Sequence, residues 1–125
     1  MKCLLDSTVI IDLLLNRPEA VRWFNQVKLK DINICPVNYG EVLTGCHDSS
    51  DWDKARLLMD SMHILNFELS DFIAAARMRQ LYHFKLPDAL LASLAIRYNL
   101  VFITRNTKDF NPSIHKFVKV PYKLH

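Results

Sequence analysis

The chain has 125 residues, half of them apolar, and carries a formal net charge of +3; this size fits one domain, 1–125, with enough apolar mass for a packed core. Two glycines, Gly40 and Gly45, speak against a turn-rich all-β fold, and no apolar run reaches the roughly 18 residues of a membrane span. Three cysteines without C-x-x-C spacing read as buried, reduced thiols of a cytoplasmic protein, and Asp6 and Asp12 interrupt the N-terminal apolar run, which argues against a secretory leader.

Cys3-Leu4-Leu5 reads as a short buried strand. Ser7 or Thr8 then caps a helix to about Leu15, with Val9, Ile10, Leu13 and Leu14 as its apolar face. Pro18 opens a second helix to about Val27. Ile32–Cys35 alternates like a strand, Pro36 ends it, and Asn38 is a candidate cap for a helix carrying Glu41, Val42 and Leu43. Trp52–Met62 reads as a helix with Ala55, Leu58, Met59 and Met62 inward, followed by a third strand over His63–Phe67. Ser70 caps a helix from Asp71 to about Tyr82, with Phe72, Ile73, Ala76 and Leu81 as its core face. Pro87 starts a helix to about Tyr98 that is apolar almost all round, the mark of a central helix. Leu100–Ile103 is a continuous apolar strand buried on both faces, and Phe117–Val120 is a short final strand. Strands alternate with helices, which predicts an α/β fold: a three-layer α/β/α domain with a mostly parallel central sheet of four or five strands flanked by helices.

In such sheets ligands bind beyond the carboxyl ends of the strands. Asp6 and Thr104 fall at those ends, and Glu41 and Asp88 fall in the first turns of helices. Carboxylates at the ends of buried strands are costly unless a cation meets them. The simplest cation to gather all three acids is a hard divalent ion such as Mg²⁺ or Mn²⁺, which would activate water and stabilise charge on a phosphodiester. Each acid also has a plainer role: Asp6 and Asp88 as helix caps, Glu41 as a first-turn surface acid. In the loop 104–110, Asn106 could hold a water or a ligand oxygen, Arg105 and Lys108 could contact phosphates, and Asp109 is either a further ligand or the cap of a turn.

Other chemistries lack their residues. The five histidines show no paired zinc-ligand spacing, and neither a glycine elbow for a serine nucleophile nor a phosphate-cradling glycine loop is present. A signalling receiver would need an aspartate after its third strand, where Phe67-Glu68-Leu69-Ser70 stands. Charge is uneven: residues 1–63 hold 7 Lys/Arg and 9 Asp/Glu (−2), and residues 64–125 hold 9 and 4 (+5). That fits either an ordinary solvated surface or a basic face that steers a polyanion.

Leu4-Leu5-Asp6-Ser7-Thr8-Val9-Ile10-Ile11-Asp12 resembles the opening motif of PIN-domain proteins. Glu41 within Val37–Val42 matches the second motif, and Leu86–Ala92 and Ile103–Phe110 resemble the third and fourth. The motifs occur in order over nearly the whole chain, and with the length they look like the VapC toxins of toxin–antitoxin pairs. The resemblance implies a Mg²⁺- or Mn²⁺-dependent endoribonuclease acting on transfer or ribosomal RNA, restrained by a cognate VapB-type antitoxin and built as a homodimer. By motif position Asp6, Glu41 and Asp88 would be catalytic and would carry the metal. Ser7 and Thr104 would orient those ligands, and Thr8 stands where an asparagine is frequent. Asn106 stands where many relatives have a fourth acid, for which Asp109 could compensate. A catalytically silent RNA- or antitoxin-binding module of the same fold is the alternative. Phe24 and Leu57 mark helix faces that an antitoxin could cover.

Overall fold

The computed structural model describes residues 2–125. Five strands, β1 (Cys3–Leu5), β2 (Ile32–Ile34), β3 (His63–Ile64), β4 (Val101–Ile103) and β5 (Val118–Lys119), form one parallel sheet in the order β3-β2-β1-β4-β5. Six α-helices connect and flank them: α1 (Ser7–Leu14), α2 (Pro18–Asn25), α3 (Pro36–Thr44), α4 (Ser49–Asp60), α5 (Leu69–Tyr82) and α6 (Leu86–Arg97). The result is the three-layer α/β/α arrangement that the alternation of strands and helices predicts.

Side chains on successive strand residues point to opposite faces, and this sorts the core into two layers. Cys3, Leu5, Ile32, Ile34 and Ile103 pack with Val9, Ile10, Val42, Ala55 and Met59 on the α1–α4 side. Leu4 and Phe102 pack with Ala75, Leu91, Leu94, Ala95 and Phe110 on the α5–α6 side. Cys3 and Cys35 are wholly buried, and burial pushes both thiols up to about 11, so they stay protonated.

Helix starts differ from the sequence reading by a few residues, and for one reason. The first turn is set by whichever side chain meets the free backbone N–H groups. Of the candidate caps Asp6, Ser7 and Thr8, Asp6 caps α1, its carboxylate accepting from Ser7 N. Cys35 precedes α3, and Asn38 sits inside the first turn with its side chain reaching back to Cys35 N at 2.9 Å. Asp48 caps α4 through Asp51 N, and Glu68 with Asp71 forms a reciprocal box at α5. With so few glycines, three left-handed residues after helices are non-glycine: Asn16 (φ 55°), His83 (φ 61°) and Asn99 (φ 53°).

The predicted core face of α5 is a correction. Phe72, Ile73, Ala76 and Leu81 are exposed; Asp71 and Ala75 are buried in their place. Asp71 accepts two hydrogen bonds of 2.8 Å from Arg97 on α6, and this ion pair turns α5 about its axis. Ala75 is buried in the same core cluster as Ala89 and Ala92 of α6, small side chains that suit close approach of the two helices. The helix therefore uses small side chains inward and leaves its large ones outside. β3 is also shorter than read, ending at Ile64 rather than Phe67.

Enlarging the α5–α6 contact with Ala75→Leu is predicted to cost about 1–3 kcal/mol, measured by urea unfolding; Ala76→Leu on the exposed face is predicted to change stability by less than about 0.5 kcal/mol.

Candidate active site

β1 is the central strand: the chain builds leftward through β2 and β3, then crosses to β4 on the other side. The crevice between the carboxyl ends of β1 and β4 is thus the topological switch point, where parallel sheets place their ligands. Leu5 and Ile103 are register partners there, and the next residues, Asp6 and Thr104, carry polar side chains onto the rim. Asp6 N donates to Ile103 O at 2.9 Å, which ties the rim together.

Asp6 is 5 % exposed and Thr104 is fully buried. The Thr104 hydroxyl donates to Asp6 Oδ2 at 2.6 Å and accepts from Asn106 N at 2.9 Å. Thr8 Oγ1 donates to the same carboxylate oxygen at 3.2 Å, and Ser7 N donates to Oδ1 at 2.8 Å. Burial nevertheless raises the Asp6 carboxyl above the ordinary range, against the opposing pull of these donors and of the Arg105 charge.

Ser7 links the second acid to the first motif. Its hydroxyl donates to Glu41 Oε1 at 2.8 Å and accepts from Asn38 Nδ2 at 3.0 Å. Asn38 is wholly buried, and its amide also donates to Leu5 O at 3.1 Å. It lies three residues before Glu41, on the same side of α3. It therefore pins the start of α3 to the end of β1 and sets where Glu41 emerges. The sequence reading treated Asn38 only as a cap; its spacing to Glu41 is the available signal.

Asp88 stands in the first turn of α6, half-buried, with no side-chain cap ahead of it. Its carboxyl is pushed up to about 6, first by burial and then by the charges of Asp6, Asp109 and Glu41; Lys85 opposes them. Asp88 therefore feels the other three acids, with Lys85 opposing them, while Arg105 acts on Asp6. The donor atoms of the acids are hard oxygens, which suit Mg²⁺ or Mn²⁺. They are not a finished chelate: among the described residues, no group of three histidine, cysteine or acidic side chains is arranged to hold an ion. Asp6 is held by its donors, whereas Glu41 is exposed with one oxygen on Ser7 and Asp88 is partly exposed.

The loop after β4 is ordered by its own side chains. Asn106 Nδ2 donates to Asp109 Oδ2 at 2.9 Å, and Asn106 Oδ1 accepts from Asp109 N at 3.3 Å. Asn106 thus orients Asp109, whose charge reaches Asp88. Lys108 is exposed. Arg105 points inward to Asp12, which is 3 % exposed: its Nε lies 2.5 Å from Oδ2 and its Nη2 3.0 Å from Oδ1. Tyr122, from the segment after β5, donates to Asp12 Oδ2 at 2.7 Å. Asp12 and Tyr122 went unread in the sequence because their partners lie 93 and 110 residues away.

The raised Asp88 carboxyl has a stability consequence. A carboxyl shifted from 3.8 to about 6 stabilises the fold fully below pH about 4, and that contribution is lost as pH rises through about 6. Asp88→Asn is therefore predicted to raise the melting temperature of the metal-free protein at pH 7, and the gain is predicted to vanish towards pH 4 in thermal melts across that range.

The profile of the PIN domain matches residues 3–111. No curated protein sequence matches the chain. Among solved structures, a toxin–antitoxin complex from Klebsiella pneumoniae contains a chain with 29% identity and a TM-score of 0.88, aligned over 98% of this chain and 100% of that one. FitAcB from Neisseria gonorrhoeae aligns with 21% identity and a TM-score of 0.80 over 98% and 99% of the two chains. VapBC-1 from nontypeable Haemophilus influenzae aligns with 20% identity and a TM-score of 0.78 over 98% and 100%; at these identities the last two speak to the fold alone. With the profile spanning β1 to the loop beyond β4, and the acids of its rim at the switch point, the chain belongs to the PIN-domain family.

Proposed function

We propose that this chain is a Mg²⁺- or Mn²⁺-dependent endoribonuclease, the VapC-type toxin of a toxin–antitoxin pair. The observation that carries the reading is the setting of Asp88, whose carboxyl is pushed up to about 6 first by burial and then by the charges of Asp6, Asp109 and Glu41. Similarity to a chain of the Klebsiella pneumoniae toxin–antitoxin complex supports the biological setting.

Asp6 and Asp88 would hold the ion, with Glu41 directly or through water. Bound there, the ion supplies water activation and charge stabilisation for in-line cleavage of an RNA phosphodiester. The chain's own residues prepare this. Thr104 and Thr8 keep Asp6 in one rotamer, and Ser7 holds one oxygen of Glu41. Asp88 is ionised above pH about 6, which a metal ligand must be. Lys108, exposed beside the rim, meets substrate phosphate. Transfer and ribosomal RNA are the substrates to assay first.

Two apolar surfaces suit the protein partners. The α5 face left outside by the Asp71–Arg97 pair presents Leu69 (77 % exposed), Phe72 (46 %) and Ile73 (56 %) to solvent, and a second copy of this chain would cover it. A groove of about 320 Å³ between α1 and the α3–α4 region is lined by Ile11, Leu14, Leu15, Val42 and Cys46. It is where an apolar antitoxin helix would dock; Leu57 is exposed on α4 as well, whereas Phe24 packs against the core.

Purified, antitoxin-free protein is predicted to cut total RNA with Mg²⁺ and not with chelator. Asp88→Asn is predicted to keep its circular dichroism spectrum and lose at least about 100-fold in single-turnover rate. A folded Asp88→Asn variant with full activity would end the nuclease reading, and a parent chain that binds RNA or antitoxin yet cuts nothing would favour a silent module. Ile73→Asp is predicted to convert a dimer to a monomer in sedimentation while leaving the protomer folded.

A further inference from the structure

The loop that carries Thr104 is flanked by two kinds of restraint. On one side is the sheet, where Thr104 N donates to Lys119 O at 3.2 Å. On the other is Arg105, the next residue, which forms the two-point ion pair with Asp12 on α1. Asp12 also takes the Tyr122 hydroxyl. Three segments far apart in sequence, α1, the loop after β4 and the segment after β5, therefore meet at one buried carboxylate.

The direction of the Arg105 side chain bears on the metal site. Thr104 and Asn106 are its neighbours. The Thr104 hydroxyl holds Asp6 Oδ2, and the Asn106 amide holds the Thr104 hydroxyl. A bidentate guanidinium–carboxylate pair fixes orientation as well as distance. It anchors the turn so that the hydroxyl stays on the carboxylate. We infer that Arg105, Asp12 and Tyr122 form a clamp that positions Thr104 on Asp6 and so presets the first metal ligand. The inference rests on the metal-dependent reading of the rim. It replaces the phosphate contact that the sequence suggests for Arg105: both the Nε and Nη2 edges of its guanidinium are committed to Asp12.

The two roles separate in one set of measurements on the full chain. Mn²⁺ is titrated calorimetrically into parent, Tyr122→Phe, Arg105→Gln and the double variant Asp12→Asn/Arg105→Gln, and RNA cleavage is measured on the same proteins at several salt concentrations. The double variant removes both charges together, so no unpaired carboxylate is left buried and it folds even where Arg105→Gln alone does not. A positioning clamp predicts a Mn²⁺ Kd raised on the order of 10-fold or more in the arginine variants and less in Tyr122→Phe. It also predicts a lower kcat with the KM for RNA and its salt slope unchanged. A phosphate contact predicts the reverse: unchanged Mn²⁺ affinity, a higher KM and a salt slope reduced by about 1. Mn²⁺ binding in the parent with the same affinity in the folded arginine variants overturns the clamp alone. A parent chain that binds no Mn²⁺ and cuts no RNA overturns the nuclease reading, and the clamp with it.

Discussion

Like charges held together organise this molecule. At the rim of the sheet Asp88 feels the charges of Asp6, Asp109 and Glu41, and its carboxyl is pushed up to about 6, first by burial and then by those charges. Burial first, and repulsion after it, oppose ionised carboxylates here, and hydrogen-bond donors around the rim hold the acids in place. Neutral donors do most of that: the hydroxyls of Ser7, Thr8 and Thr104, and the amides of Asn38 and Asn106. Hydroxyl and amide groups orient a carboxylate without cancelling its charge, which leaves the site electronegative.

The acids differ in freedom, and the difference is structural. Asp6 follows a buried strand and caps α1, so backbone and side-chain donors both fix it. Asp88 sits in an uncapped first turn, and Glu41 is tied by one oxygen on an exposed helix face. An inner carboxylate held by several donors beside outer ones held by few would suit an ion that keeps several waters and demands regular geometry, as Mg²⁺ does. The parallel sheet makes this possible because it delivers the ends of β1 and β4 side by side although nearly a hundred residues separate them.

The broad outline was legible in the sequence because it depends on local pattern. Apolar runs bounded by Pro, Asn and Asp gave the strand–helix alternation, and the ends of Cys3–Leu5 and Val101–Ile103 gave Asp6 and Thr104. What stayed hidden depends on partners distant in sequence. Periodicity in α5 pointed to Phe72, Ile73, Ala76 and Leu81, and the Asp71–Arg97 pair overrode it. Asn38 looked like a simple cap, since its bonds to Leu5 O and Ser7 Oγ cross more than thirty residues. Arg105 looked like a free cation after a strand; nothing local marks Asp12 as its partner. Large apolar residues left outside α5 are the converse case, since pattern alone does not tell a core face from a surface that a second chain covers.

The central claim is that the acids of the rim bind a divalent ion through Asp88 in its ionised form. Calorimetric titration of Mg²⁺ at pH 6, repeated in buffers of different ionisation enthalpy, counts the protons released on binding. With the Asp88 carboxyl raised to about 6, the account predicts proton release on binding at pH 6 that disappears by pH 8. Binding at pH 6 without proton release, or no binding at either pH, would contradict it.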